Sequence, residues 1–212
     1  MQTKFKLAFR QAVLATHVGA FAGSGGGPSG NMFGFDIWSR EAASARLGFG
    51  IESVQATALT MENGNYSRND AQAFLAGPEL SIGGIVVSLK AGKTDSIEIE
   101  STPAGFSRGQ QSGITIGKFS LSCPIDVTEK VAVAFSASRH VRLGGGSTPV
   151  WQRQAFHATE ESGVQGGLAL TDEAPGSRRD PHFSTAAPGD FLDRATTVGI
   201  SLVYRLETAL LD

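Results

Sequence analysis

The chain has 212 residues, a length that suits one domain with a sizeable core or two small domains. Its formal net charge of -2 and the lack of a basic segment argue against a nucleic-acid-binding protein. The single cysteine, Cys123, excludes an intramolecular disulfide and a four-cysteine zinc site. Glycine is abundant at 27 residues and charged residues make up only 18%, which favours a β protein with many tight turns.

The N-terminal segment fits two interpretations. A basic start precedes the uncharged residues 11–22, and this order is the outline of a secretory signal peptide. Phe5, Leu7 and Phe9 also alternate with other residues, a pattern typical of a first β-strand. We therefore predict that residues 1–30 form an arm, a first strand or a signal segment with a glycine-rich linker. Residues 31–212 are predicted to form a single β domain.

Period-two alternation dominates the rest of the chain and predicts β-strands. The alternating stretches are residues 33–38, 46–52, 85–90, 97–100, 131–136 and 197–206. The pair Asn63-Gly64 is a hairpin signal, and residues 91–95 and 124–129 are predicted as further turns. The pattern predicts an all-β fold of about eight to ten strands. Short connections favour an antiparallel meander.

Residues 144–195 interrupt the alternation and are rich in glycine, serine, proline and charged residues. Within them, only residues 150–157 and 164–171 look like strands. A segment of this length without regular structure is uncommon inside a compact domain, so we predict a long functional loop, a partly ordered arm or a further hairpin.

The two faces of the strands differ in composition. One face is apolar, whereas the other is mostly glycine, alanine and serine with the charged residues Arg46, Glu52, Lys90 and Arg205. Small residues suit the crowded interior of a closed barrel, where charges of both signs can pair. We therefore favour a closed barrel over a sandwich, with these four charges inside. The residues then predicted to face lipid or a core are Leu47, Phe49, Ile51, Val131, Val133, Phe135, Val198, Ile200, Leu202 and Tyr204.

Residues 119–138 resemble a strand, short turn and strand of the bacterial outer-membrane β-barrel proteins. Residues 197–206 resemble the closing strand of that family. The resemblance implies a barrel embedded in the bacterial outer membrane, with the lipid bilayer as its partner. It also implies short turns at one end and long loops at the other, with residues 144–195 as one such loop.

Two other classes remain open. A self-assembling subunit, such as a virus coat or filament protein, would act outside the cell or in a virion and would bind copies of itself. A soluble barrel could instead bind a small ligand or a sugar, whose identity the sequence does not give.

No motif in the sequence indicates a reaction. The glycine-rich residues 23–30 lack the Gly-Lys-Ser/Thr ending of a phosphate loop, and no G-x-S-x-G serine motif occurs. The histidines, at positions 17, 140, 157 and 182, do not have metal-ligand spacing. We therefore predict a non-enzymatic protein without a cofactor or metal.

Four single residues carry further expectations. We expect His140 at a solvated strand end and Cys123 as a small buried residue. Trp151 and Phe156 lie in the polar segment, where exposed aromatic side chains would mark an interface.

Overall fold

A computed structural model of the chain describes residues 12–23, 27–39, 45–62, 64–102, 105–155, 171–172 and 193–207. Its ten strands are β1 (Ala12–Gly23), β2 (Ser29–Ser39), β3 (Ala45–Glu62), β4 (Asn65–Ile82), β5 (Ile85–Thr102), β6 (Gly105–Asp126), β7 (Val131–Gly145), β8 (Val150–Ala155), β9 (Thr171–Asp172) and β10 (Thr196–Glu207). The strand considered for residues 5–9 lies outside the described residues.

The strands close into a barrel. Hydrogen bonds run in a ring through β1, β2, β3, β4, β5, β6, β7 and β10, and β10 returns to β1. All of these pairings are antiparallel. The predictions of an all-β fold, of antiparallel order and of a closed barrel are therefore confirmed. No helix in the described part of the chain is long and apolar enough to cross a membrane.

The two ends of the barrel differ. At the end where β1 begins and β10 finishes, here called the terminal end, β4 and β5 are joined by Gly83 and Gly84. Both glycines have positive φ angles, +57° and +86°, as the tightest hairpin turns require. The far end is formed by β3, β4, β5 and the start of β6, which remain paired with one another there. At this end β8 replaces β7 as the neighbour of β6. This strand β8 lies within the predicted loop at residues 144–195.

Two boundaries from the sequence need correction. The turn predicted at residues 91–95 lies inside the continuous strand β5. A Cβ atom on Gly92 would lie 1.8 Å from the carbonyl oxygen of Phe74, so this glycine permits close backbone contact instead of a turn. The domain boundary placed after residue 30 falls inside β2, and β1 belongs to the same ring.

Side chains alternate between the barrel interior and its outer surface. Inward side chains are buried and include both charged and apolar residues, whereas large apolar side chains on the outer surface are exposed. The buried apolar cluster lies inside the ring and is formed by Phe21, Met32, Val54, Ala56, Ala71, Ala73, Leu75, Ile114 and Ile116. The core of the protein is therefore the barrel lumen.

Gly92→Ala should destabilise the barrel by about 2 kcal/mol, because the new methyl group meets backbone atoms that must shift. Gly117→Ala on the neighbouring strand is the matched control. Its added Cβ meets only the side chain of Leu143, at 3.2 Å, and that side chain can move. Urea-induced unfolding followed by circular dichroism measures both variants, and equal losses would contradict the close backbone contact at Gly92.

Candidate functional site

A cluster of charged side chains crosses the lumen near its middle. Six consecutive strands, β1 to β6, each contribute one residue, and none of these residues is more than 9% exposed. The members of this charge cluster are His17, Asp36, Glu52, Glu79, Lys90 and Lys118. Because each strand turns one face inward, a single residue per strand is enough to build the cluster.

Lys90 is the centre of the charge cluster. Its Nζ lies 2.9 Å from Glu79 Oε1, 3.3 Å from Glu52 Oε2 and 3.7 Å from Asp36 Oδ1. Lys118 Nζ donates a hydrogen bond to the other oxygen of Glu52, Oε1. Glu52 is therefore the carboxylate that contacts both lysines.

His17 lies between two carboxylates of the cluster. Its Nδ1 is 2.9 Å from Asp36 Oδ2, and its Nε2 is 3.9 Å from Glu52 Oε2. Besides the imidazole, the cluster holds three carboxylates and two ammonium groups.

Two glycines leave the space that the cluster fills. A Cβ atom on Gly34 would lie 2.4 Å from His17 Cε1. A Cβ on Gly50 would lie 2.6 Å from Asp36 Oδ1 and 2.7 Å from both Glu79 Oε1 and Lys90 Nζ. Inward glycines are thus part of the charged site, because any larger side chain would displace its charged groups.

The apolar cluster fills the lumen on the far side of the charges. His140 borders it, with its ring centroid 6.5 Å from that of Phe21. The imidazole is 3% exposed, and neither ring nitrogen has a hydrogen-bond partner among the described residues. The expected solvated position of His140 is wrong, because its strand directs it into the lumen. The charged and apolar layers thus occupy successive levels of the lumen.

A cavity of about 150 Å³ lies on the other side of the charge cluster and extends toward the terminal end. Its wall contains the charge-cluster residues together with Arg46, Arg205 and Trp38. Much of the remaining wall is hydroxyl-bearing and comes from Ser81, Ser88, Ser120, Ser122, Ser136, Ser138 and Ser201. A polar cavity of this size has room for several water molecules or one small solute.

The terminal end of the cavity carries an ion pair. Arg205 Nη2 donates a hydrogen bond of 2.5 Å to Asp126 Oδ1, at the end of β6. This ion pair joins the end of β10 to the end of β6 and positions Arg205 at the terminal end of the cavity.

All four of the charges assigned to the interior, Arg46, Glu52, Lys90 and Arg205, line this cavity. Glu52 and Lys90 contact each other, whereas Arg46 lies toward the terminal end. The sequence analysis missed the other four members of the cluster, which are His17, Asp36, Glu79 and Lys118. Asp36 lies at an inward position in the alternating pattern of β2, so the sequence pattern alone could have identified it.

The residues assigned to lipid or a core have outward positions in β3, β7 and β10. Leu47, Phe49, Ile51, Phe135, Val198, Ile200, Leu202 and Tyr204 are exposed there, while Val131 and Val133 are half-buried. Cys123 is also exposed, so its expected burial is wrong.

Trp151 is half-buried in β8, where a Cβ atom on the opposite Gly109 would lie 2.6 Å from its ring. Phe156, the other aromatic residue assigned to an interface, lies outside the described residues. Across the described part of the chain, no group of three or more His, Cys, Asp or Glu residues could hold a metal ion.

Comparisons with known proteins find similar folds but no related sequence. The chain is similar to a major outer membrane protein from Thermus thermophilus, with 9% identity, a TM-score of 0.47, and 92% and 99% of the two chains covered. It is also similar to the translocator domain of autotransporter NalP from Neisseria meningitidis, with 10% identity, a TM-score of 0.35, and coverage of 97% and 92%. No family model and no curated protein matches the sequence. Inference about function therefore rests on the chain's own residues.

Glu52→Gln should cost about 3 kcal/mol of stability, because it removes the carboxylate that contacts both buried lysines. Glu79→Gln is the matched comparison, and it should cost less because Glu79 contacts Lys90 but not Lys118. Adding Lys118→Met to Glu52→Gln should recover part of the loss. Urea unfolding of the three variants tests this order, and an equal cost for the two Gln variants would contradict the central role of Glu52 in the cluster.

Proposed function

We propose that the chain is a non-enzymatic β-barrel of the bacterial outer membrane with a closed lumen. The observation that carries this proposal is the distribution of side chains, which is the reverse of that in a soluble protein. Each strand of the ring exposes at least one large apolar side chain on the outer surface, whereas ion pairs are buried inside. An apolar surface around the whole circumference suits a lipid environment, and a closed ring leaves no unpaired backbone edge there.

The height of the apolar surface supports the same proposal. On β10, the outward residues from Val198 to Leu206 extend about 26 Å along the strand at roughly 3.3 Å per residue. With the usual tilt of barrel strands, this length corresponds to about 20 Å across the membrane, close to the ~25 Å apolar band of such barrels. A row of outward polar residues crosses β2 to β5 toward the far end. They are Asn31, Gln55, Gln72 and Asp95, which lie opposite one another on adjacent strands.

The apolar outer surface also argues against a soluble ligand-binding barrel and against an assembling coat or filament subunit. A soluble ligand-binding barrel would leave these apolar side chains in water, where large exposed apolar patches favour aggregation. An assembling coat or filament subunit would need neighbours around its whole circumference to cover them. Contact with lipid buries all of them at once, so the lipid bilayer is the proposed partner.

The closed lumen favours a structural or ligand-binding role over free passage of solutes. The buried lysines and carboxylates of the interior hold one another in ion pairs, which accounts for their burial without a catalytic role. The cavity on the terminal side remains large enough for a small solute.

The proposal is tested by detergent dependence. The protein refolded from denaturant should be monodisperse only in detergent micelles or lipid vesicles, because its outer surface is apolar. Size-exclusion chromatography with light scattering provides the measurement. A soluble, monodisperse protein in the absence of detergent would refute the membrane assignment.

Ile200→Asp should weaken folding into lipid vesicles by about 2 kcal/mol, because the carboxylate would face the hydrocarbon. Ser201→Asp on the same strand is the control, and its loss should be smaller because Ser201 lines the polar cavity. The midpoints of urea unfolding in vesicles give the comparison. Equal tolerance at the two positions would mean that the inward and outward faces are wrongly assigned.

The proposed closed lumen predicts no steady ion conductance. The charge cluster and the apolar layer occupy successive levels of the lumen, so hydrated ions lack a continuous path. Electrical recording after insertion into a planar lipid bilayer tests this expectation. A sustained conductance that scales with salt concentration would rule out the closed lumen.

A further inference from the structure

We propose that the outer surface of the barrel binds the phosphate of an anionic membrane lipid at Arg139, with an acyl chain of that lipid lying over Ala137. This inference rests on the proposed membrane role and deepens it. It names the kind of lipid that the barrel selects and the place where that lipid binds.

Arg139 interrupts the apolar outer face of β7. It is exposed, and within the described residues its guanidinium has no hydrogen bond and no ion pair. A charge that faces hydrocarbon without a counterion is costly, so this guanidinium needs water or an anion beside it. The other outward residues of the strand are Val131, Val133, Phe135, Ala137, Val141 and Leu143.

The strand register gives the height of Arg139 on the barrel. Followed through β1 and β10, the hydrogen-bonded row that contains Asn31 reaches β7 at Phe135. Followed through β3 to β6, the same row reaches β7 near Gly145, about ten residues farther along, because such rows climb around a ring of tilted strands. Phe135 is three of the eight strand steps from Asn31, so the level of Asn31 crosses β7 about four residues beyond Phe135, at Arg139.

The outer surface changes character at this level. Toward the far end, the outward residue that follows Phe33 on β2 is Asn31, and the one that follows Val198 on β10 is Thr196. A change from large apolar to polar side chains is typical of the boundary between hydrocarbon and lipid head groups. Arg139 therefore lies within reach of lipid phosphates.

Positive charge exceeds negative charge around Arg139. The backbone N–H of Arg142 donates a hydrogen bond to Asp193 Oδ1, which holds the residues before β10 beside β7. The side chain of Arg194 is 80% exposed, and its Nε lies 3.9 Å from Asp193 Oδ2. Among the described residues, this part of the surface thus carries three arginines and one aspartate, and it attracts an anion.

Arg139 and Thr196 can bind one phosphate together. Thr196 is exposed and lies directly opposite Arg139 on β10. Side chains at opposite positions of an antiparallel pair have Cβ atoms about 5 Å apart, so both can donate hydrogen bonds to the same group. A guanidinium also matches two phosphate oxygens at once, which a single hydroxyl does not.

Ala137 leaves a shallow groove on the terminal side of Arg139. Its partners on the adjacent strands are Leu121 and Val198, whose larger side chains are 43% and 63% exposed. An acyl chain over the short side chain of Ala137 would bury apolar surface while the phosphate stays at Arg139. Free phosphate lacks this second contact, so a lipid is the favoured source of the phosphate.

The test is native mass spectrometry of the protein released from micelles of a non-ionic detergent. The micelles contain equal amounts of phosphatidylglycerol, which is anionic, and phosphatidylcholine, which is neutral, with the same acyl chains. We expect phosphatidylglycerol adducts to dominate about fivefold, the ratio that corresponds to one basic residue beside an anionic lipid. Equal amounts of the two adducts would overturn the proposal.

The soluble head group separates a lipid site from a phosphate site. Glycerol phosphate added in excess over the lipid should leave the phosphatidylglycerol adducts in place, because it lacks acyl chains. Displacement of the lipid by glycerol phosphate would overturn the lipid as the ligand.

Charge variants locate the phosphate. Arg139→Gln should abolish the preference for phosphatidylglycerol, whereas Arg139→Lys should keep part of it, because the charge remains but the paired donors are lost. Arg108→Gln is the matched control. Arg108 is also exposed, but it pairs with Ile99 in the far-end extension of β6 and should not affect the preference. A preference that survives Arg139→Gln, or that Arg108→Gln abolishes equally, would exclude the site.

A second pair of variants tests the groove. Ala137→Leu fills it without altering any charge and should reduce the phosphatidylglycerol adducts. Ala76→Leu is the control, since Ala76 also faces outward but lies between Ile51 and Ala91 on the other side of the barrel. Equal adduct levels in the two Leu variants would rule out the acyl-chain contact.

Failure of this site and failure of the membrane role give different results. A protein that folds only in micelles but shows no lipid preference would lack the lipid site and keep the proposed membrane role. A protein that stays monodisperse without detergent would lose both.

Discussion

Closure of the backbone hydrogen-bond ring is the constraint on which the rest of the structure depends. Once β10 pairs with β1, every ring strand has a neighbour on both sides, and the sheet has one enclosed face and one outer face. Eight strands enclose only a narrow space, so inward positions favour small side chains or charges that pair with one another. Closure also frees the outer face to be apolar throughout, because no backbone group there needs water.

The interior of the barrel has three levels with different roles. The apolar cluster near the far end supplies packing, the charge cluster beside it holds six strands together, and the serine-lined cavity opens toward the terminal end. Buried ion pairs are weak sources of stability by themselves, because desolvation offsets most of their attraction. Their arrangement is instead specific, since only one register of β2 to β5 brings Asp36, Glu79 and Lys90 together.

Much of the fold follows from local patterns. Period-two alternation identified five of the eight strands of the ring, and the Asn63-Gly64 signal correctly placed the hairpin between Glu62 and Asn65. Local patterns misled where a residue had a tertiary role. Gly92 suggested a turn, yet it accommodates the backbone of the adjacent strand at Phe74. His17 is a second example, because nothing in the local pattern of β1 predicts its contact with Asp36 in the charge cluster.

By itself, the sequence determined that the strands have two unlike faces and that Glu52 and Lys90 share the small-residue face, since parity along a strand is a local property. Only the tertiary structure decided which charges meet. Glu52 and Lys118 are 66 residues apart, and their contact depends on the register of every strand pair between them. A shift of one residue in any of these pairs would direct one partner to the outer surface, and alternation alone does not fix the pairing.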